Sequence, residues 1–506
     1  MKGEILTIKH LWGVVATAVI LMAVSCAKGF DGNEKYSSDV RNKTLTSPDA
    51  SGFTYTFVTG ADQVERLQVK WPIVFGAGGY ECRVTNVNDN LIVADTIVDG
   101  LSIQFEYADD VRYEFSVLAL GNDELNNKTA ESATLAYYTT GGESVPVSAN
   151  QDLGAFIASY LANNAAELAK KRADDPNFEV AFDLEAGGKY TYETPVDMGP
   201  QAIRLRNLDE ANHTTITMKT PIETSAGVRA KNINFDCTDS GISTLIALSD
   251  EPDESVGIEA LGYKAAGADR SECWYIEKPI ILEGCWVKNL PNALIYCQKK
   301  AWAVRDLRVL NSIIQLKNTG SSSFIRMDDG NPNNTIIKDM TLSNSTIYNT
   351  EENSSAYFIR YANASNARPD RMYGSADNTS THRIENCTIV RMFTNKDFAN
   401  NMLNNSVFTQ YVTNCVFFDV FRIYQYLQTS NKRYTTGNTM WYDKTSAQSN
   451  DTGGRTDSNG NGYTTEENPG FGTSAVKELD FSQPNGGLNF HATGAISSQG
   501  GDPRWR

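Results

Sequence analysis

One six-residue pattern recurs five times between positions 282 and 417: apolar, variable, Asn or Gly, Cys or Ser, variable, apolar. The copies are Leu282-Glu283-Gly284-Cys285-Trp286-Val287, Val309-Leu310-Asn311-Ser312-Ile313-Ile314, Leu342-Ser343-Asn344-Ser345-Thr346-Ile347, Ile384-Glu385-Asn386-Cys387-Thr388-Ile389 and Val412-Thr413-Asn414-Cys415-Val416-Phe417. A weaker copy surrounds Asp236-Cys237. The Cys/Ser positions lie 27, 33, 42 and 28 residues apart, one short unit plus insertions of variable length. Such spacing predicts units stacked one on the next rather than a closed α/β domain.

In a stack of strands the same side chain recurs above itself at about 4.8 Å. Small Cys and Ser tolerate that crowding. Asn can hold a left-handed backbone at a bend and pass hydrogen bonds to the Asn above it, while the flanking apolar residues fill the interior. The expected architecture is a parallel β-helix. A length of 506 residues exceeds one ordinary domain, and the composition, rich in Asn, Thr, Ser and Tyr, suits extended β structure.

The amino terminus reads as a leader. Lys2 and Lys9 precede an apolar stretch from Leu11 to Val24, which is too short to span a bilayer comfortably and ends in Ala23-Val24-Ser25-Cys26. This resembles the signal of bacterial lipoproteins, and the resemblance implies cleavage after residue 25, lipidation of Cys26 and a membrane anchor. The turn-rich stretch 26–45 would be a tether. The formal charge is -16, and losing Lys2, Lys9 and Glu4 makes it about -17, a balance that disfavours nucleic acid as a partner. Setting Cys26 aside, seven cysteines remain, and none shows a Cys-x-x-Cys or Cys/His spacing that would hold zinc.

Residues 46–143 carry seven short alternating runs, from Phe53 to Thr139, which predict a β-sandwich. Leu67-Gln68-Val69-Lys70-Trp71, Tyr80-Glu81-Cys82-Arg83-Val84 and Tyr113-Glu114-Phe115-Ser116-Val117 resemble a fibronectin type III domain. The resemblance implies that the tryptophan anchors the core, that Tyr113 is the tyrosine of the later strand, and that the domain is a spacer or binding module. Next, Leu153, Phe156, Ile157, Tyr160, Leu161, Ala165 and Leu168 form one apolar helical stripe over about 151–172, with Asn150 as N-cap, placed to cover the open first unit of the stack.

Leu184-Glu185-Ala186-Gly187-Gly188-Lys189-Tyr190, the repeats and Gly501-Asp502-Pro503-Arg504-Trp505 together resemble pectin-lyase-like, right-handed parallel β-helix proteins. They are similar to a group of surface lipoproteins, found with polysaccharide-utilisation systems, that places a fibronectin-like domain before the helix. The fold class expected is therefore all-β, a β-sandwich followed by a right-handed parallel β-helix over 148–506 with an N-terminal capping helix. The implied setting is the outer membrane, facing the cell surface or periplasm, with polysaccharide and other glycan-uptake proteins as partners.

Three segments match in consecutive units: Ala293 to Gln298, Ser323 to Asp328 and Tyr357 to Ala362. If Ile295, Ile325 and Ile359 point inward, alternation turns Tyr296, Arg326 and Arg360 outward in one column, with Phe324 and Phe358 beside them. Aromatic faces stack on sugar rings and guanidinium forks grip carboxylates, so Tyr296, Phe324, Arg326, Asp328, Phe358 and Arg360 form the candidate ligand-binding set for an acidic glycan. Under an inserted loop, with Arg326 paired to Asp328 or Asp329, the same residues would be structural.

A polysaccharide lyase is the alternative, with Arg326, Arg360, Lys299 and Arg305 available to neutralise a uronate. No motif selects a base among them. A glycosidase would need two separated carboxylates, and Asp328-Asp329 lacks the Asn-Thr-Asp and Gly-His-Gly motifs of polygalacturonases. A purely structural or adhesive surface protein is the third reading. Four histidines give little support to His-based catalysis, and His213 is expected in a solvated turn. Calcium, the cofactor left open, would have Asp457-Ser458-Asn459-Gly460-Asn461-Gly462, which fits the first half of a calcium loop, but Asn468 stands at the twelfth position. No metal site is therefore assigned.

Overall fold

The repeated frame becomes three parallel sheets that the chain visits in rotation. In the computed structural model the described residues are 40–60, 64–87, 90–108, 111–140, 143–263, 273–328, 335–352, 355–361, 368–374, 377, 379–396, 398–400, 408–420, 432–436, 440–443, 469–471, 475–493 and 500–506. The expected leader, Cys26, Asp329 and the segment Asp457 to Gly462 lie outside them. The chain divides into two compact units, 1–142 and 143–506.

In the first unit, Thr54–Thr59, Glu65–Lys70 and Ser102–Glu106 form one antiparallel sheet, and Leu91–Val98, Gly79–Asn86, Arg112–Leu120 and Thr134–Thr139 form another. Alternate side chains of both, including Leu67, Val69, Cys82, Val84, Phe115 and Val117, share one core. Trp71 is buried there, 6.3 Å from the Phe53 ring and edge-on to Tyr80 at 5.7 Å. The Tyr113 hydroxyl accepts a hydrogen bond from the Ala108 amide at 2.8 Å, which ties the start of its strand to the preceding turn.

The second unit opens with strand Glu143–Val147 and two helices, Leu153–Asn163 and Ala165–Asp174. The single helix expected over 151–172 is broken at Asn164, whose side chain donates to the Tyr160 carbonyl at 2.8 Å and closes the first helix early. Its N-cap is Asp152, which accepts from Gly154 N, and not Asn150, which sits at φ 63°. Leu153, Ile157 and Leu168 face the core, and the rings of Phe156 and Tyr160 meet Phe182 edge-on at 6.2 and 5.5 Å. The apolar stripe thus covers the strand Val180–Leu184.

From there the strands fall into parallel sheets of eleven, nine and six strands. Ile280–Glu283, Trp286–Leu290 and Ala293–Tyr296 belong to the three sheets in turn, and the next three strands repeat the cycle. Apart from its few helices the chain is all-β, and its parallel sheets are consistent with a β-helix-like fold.

Register follows the frames. Leu282, Val309, Leu342, Ile384 and Val412 stand in one column, and Val287, Ile314, Ile347, Ile389 and Phe417 in another, all buried. Between them the chain bends at Gly284, Asn311, Asn344, Asn386 and Asn414, whose φ values of 49 to 60° favour Asn and Gly over other residues.

The bonds that join copies come from backbone and from the small residues: Asn311 N–H donates to the Ser343 carbonyl, and Ser312 Oγ accepts from Cys285 N at 3.1 Å while donating to Leu310 O at 2.7 Å. Ser345 repeats this with Ser312 N and Ser343 O. The sixth copy is Ala230-Lys231-Asn232-Ile233-Asn234-Phe235, not the segment around Cys237. Ala230 pairs with Leu282, Phe235 with Val287, and Asn232 takes φ 54°. Ile233 in the Cys/Ser place hides it from a pattern search.

Candidate functional site

The six-stranded sheet contains Ala293–Tyr296, Ile325–Met327 and Ile359–Tyr361 as successive neighbours. Ile295, Ile325 and Ile359 pair in register and are fully buried, so Tyr296, Arg326 and Arg360 form the adjoining column, continued by Asn400. The turns at both ends of these strands are where the repeats lengthen: 291–292 becomes 317–324 and then 350–358 on one side, and 297–301 becomes 328–335 and then 362–379 on the other. Insertions in stacked repeats gather on one face, which is often the binding face.

Asp328 lies between the two guanidinium groups. Arg326 Nε donates to Asp328 Oδ1 at 3.4 Å, and Arg360 Nε lies 2.5 Å from Oδ2, a contact of opposite charges without the N–H aligned as a hydrogen bond. The carboxylate side chain is 5 % exposed, those of Arg326 and Arg360 28 and 42 %.

The aromatic half of the expected strip is overturned. Phe324 and Phe358 are 1 and 0 % exposed and pack ring to ring at 4.9 Å in the core. Each precedes its strand by one residue, at a corner where in–out alternation has not begun, so its side chain turns inward. Tyr296 is 9 % exposed, and its ring face is taken by Arg326, whose Cζ lies 4.4 Å from the centroid. None of the three offers a free platform for a sugar.

Two residues missed in the sequence lie beside the column. Half-buried Tyr357 has Arg360 Cζ at 6.0 Å and Lys396 Nζ at 5.9 Å from its ring centroid. Only the matching position of Tyr357 before Ile359 hinted at it; Lys396 sits in a later insertion with no repeat partner. The strip is therefore cationic, Arg326 and Arg360 around Asp328 and Lys396 beside Tyr357, with tyrosine rings against the cations.

Arg305 and Lys299 are not part of it. Lys299 occupies a tight turn at φ 65°. Arg305 binds Glu277 at 2.8 Å, Asp377 at 2.6 Å and the Tyr263 hydroxyl at 2.6 Å, and lies on the Tyr373 ring at 4.6 Å. Burial opposes its charge, but Glu277 and its other partners outweigh that and raise its pKa. Asp377 is only partly covered; its partial burial opposes the charge, but hydrogen bonds from Arg305 and Lys338 hold its carboxyl below the usual range. This network pins the insertion around Pro369–Met372 to the sheet.

The described histidines are structural. His213 is half-buried rather than solvated, edge-on to Trp286 at 5.5 Å and bonded to Asn234 Oδ1, and burial lowers its pKa. His382 is fully buried against the Ile337 carbonyl, and His491 meets the Trp505 carbonyl at 2.6 Å. The seven cysteines other than Cys26 are buried free thiols. Among the described residues no three His, Cys, Asp or Glu side chains converge as metal ligands.

Residues 1–187 match a family model described as a domain of unknown function (DUF4992), and residues 188–350 match a second, also described as a domain of unknown function (DUF4957). The second covers Tyr296, Arg326 and Asp328 and stops short of Tyr357, Arg360 and Lys396. No curated protein and no solved structure matches the chain.

Proposed function

We propose that this chain is a surface-exposed outer-membrane lipoprotein that captures an acidic polysaccharide. In this reading Cys26 carries the lipid, residues 46–143 are a fibronectin type III-like sandwich acting as spacer, and residues 148–506 are a right-handed parallel β-helix presenting the ligand face. The two antiparallel sheets around Trp71, with the Tyr113 hydroxyl closing its turn, support the spacer assignment. The rotation of strands through three parallel sheets supports the helix.

The observation that carries the ligand is the stacking of Arg326 and Arg360 on neighbouring strands, in a chain whose net charge is -16. Like charges placed directly opposite cost stability in a sheet, and Asp328 offsets part of that cost; an acidic glycan would offset more of it. With Phe324, Phe358 and Tyr296 withdrawn from the surface, recognition rests on charge rather than stacking, which favours uronate-bearing over neutral glycans.

Retention on a panel of uronic-acid, sulfated and neutral polymers tests this. Wild type should bind uronic-acid polymers at low salt and release them as salt rises, and Arg326→Ala and Arg360→Ala should each lose about fivefold or more in affinity. Equal retention by the variants would discard the strip. The same incubations, followed by absorbance of new unsaturated ends, would turn the reading to a lyase if absorbance rose.

A further inference from the structure

We infer that Asp328 is a positioning residue that makes Arg326 and Arg360 a single receptor for one anionic group, a uronate carboxylate, and that its own negative charge therefore strengthens the binding of an anion. This rests on the acidic-glycan reading above and assigns the group recognised within it.

The geometry argues for one group rather than two. Neighbouring strands lie about 4.8 Å apart, and two anionic substituents held that close in a partly buried site would repel each other. A single planar carboxylate with two oxygens can instead be shared by two guanidinium forks. Left alone, the forks would repel each other and splay. Asp328 prevents this, with one carboxylate oxygen toward each Nε, from a place 5 % exposed that a ligand in solution does not reach. Arg360 Nε has no contact with water although its side chain is 42 % exposed, so its outward polar atoms are the two terminal nitrogens. Rings complete the support: Tyr296 against Arg326 at 4.4 Å and Tyr357 beside Arg360 at 6.0 Å. The side-chain freedom a ligand would otherwise have to remove is already spent, which raises affinity.

The test is a sign. Counting charge alone, Asp328→Asn makes the strip more positive and should tighten an acidic polymer; as a positioning residue its loss should weaken it. Isothermal titration of the full chain with polygalacturonate at low salt should show about tenfold weaker binding for Asp328→Asn and partial recovery in Asp328→Glu, with both variants keeping a cooperative thermal unfolding transition. Arg326→Lys and Arg360→Lys keep every charge but lose the fork, and each should also weaken binding about tenfold. Dextran sulfate and plain dextran are the comparison arms.

Equal or tighter binding by Asp328→Asn while wild type binds overturns the positioning role and leaves the acidic-glycan reading intact. If Asp328→Asn does not fold, unchanged affinity in both lysine variants overturns it instead. Preference for dextran sulfate over polygalacturonate overturns the uronate assignment, and no binding of either anionic polymer by wild type overturns inference and reading together.

Discussion

Trp505→Ala removes the anchor of the carboxy-terminal segment, and its cost can be worked from the structure. Residues 500–506 lie across four copies of the repeat: Gly501 N–H donates to Asn414 O, Asp502 N–H to Thr388 Oγ1, Arg504 reaches the Asn311 and Ser312 carbonyls, and Arg506 reaches Asn386 Oδ1. At their centre the Trp505 indole, 6 % exposed, packs edge-on to Phe490 at 5.8 Å and donates from Nε1 to Thr346 Oγ1 at 2.7 Å. Truncating a buried Trp costs about 3–5 kcal/mol, and fully buried Thr346 Oγ1 loses a donor worth about 1 kcal/mol.

In stacked repeats such a loss falls first on the adjoining units. The backbone amides of Thr346 and Thr388, which donate to Ser312 O and Ser345 O at 2.9 and 3.0 Å, should therefore exchange with solvent deuterium about a thousandfold faster. Trp505→Phe, which keeps most of the ring and loses the N–H, should give about a third of the effect. A loss below about 1 kcal/mol in urea unfolding, with unchanged exchange at these amides, would refute the reasoning that this segment is an integral outer layer.

Lys278 is half-buried near Glu179, Arg204 and Arg229, and the loss of solvation pushes its pKa down from 10.5 to about 8. Below pH 8 both folded and unfolded chains hold the proton, and folding bears a cost of about 3 kcal/mol. Between pH 8 and 10.5 only the unfolded chain keeps it, so the cost fades as pH rises. Urea unfolding should thus show the stability of Lys278→Met relative to wild type falling by about that amount from pH 7.5 to 10.5, and a constant difference would count against it. Asn344→Gly should be nearly neutral, since Gly284 occupies the same left-handed bend, whereas Asn344→Ala should cost about 1 kcal/mol by thermal unfolding. Tyr373 is buried with no hydrogen-bond partner for its hydroxyl among the described residues, so Tyr373→Phe should leave stability unchanged or raise it by up to about 1 kcal/mol; a loss instead would mean that the hydroxyl has a partner in solution.

The repeat frame was legible because each of its requirements is local. A left-handed bend selects Asn or Gly, the crowded place beside it selects Ser or Cys, and the apolar residue on either side needs only the copy before and after it to form a column. The register from Leu282 to Val412 and the pairing of Arg326 with Arg360 follow from that. Where a position relaxes, as at Ile233, the signal disappears although the backbone does not change.

What the chain alone determined was the period, the columns and the sharing of one column by two arginines, since these depend on neighbours whose spacing is written in the sequence. Tertiary structure alone decided which way the corner residues face, why Phe324 and Phe358 serve the core, and how Tyr357 brings Arg360 and Lys396 to one ring. The physical reason is that strand alternation holds only within a strand. At bends and insertions a side chain's direction is set by packing against residues distant in sequence, and no local pattern encodes it.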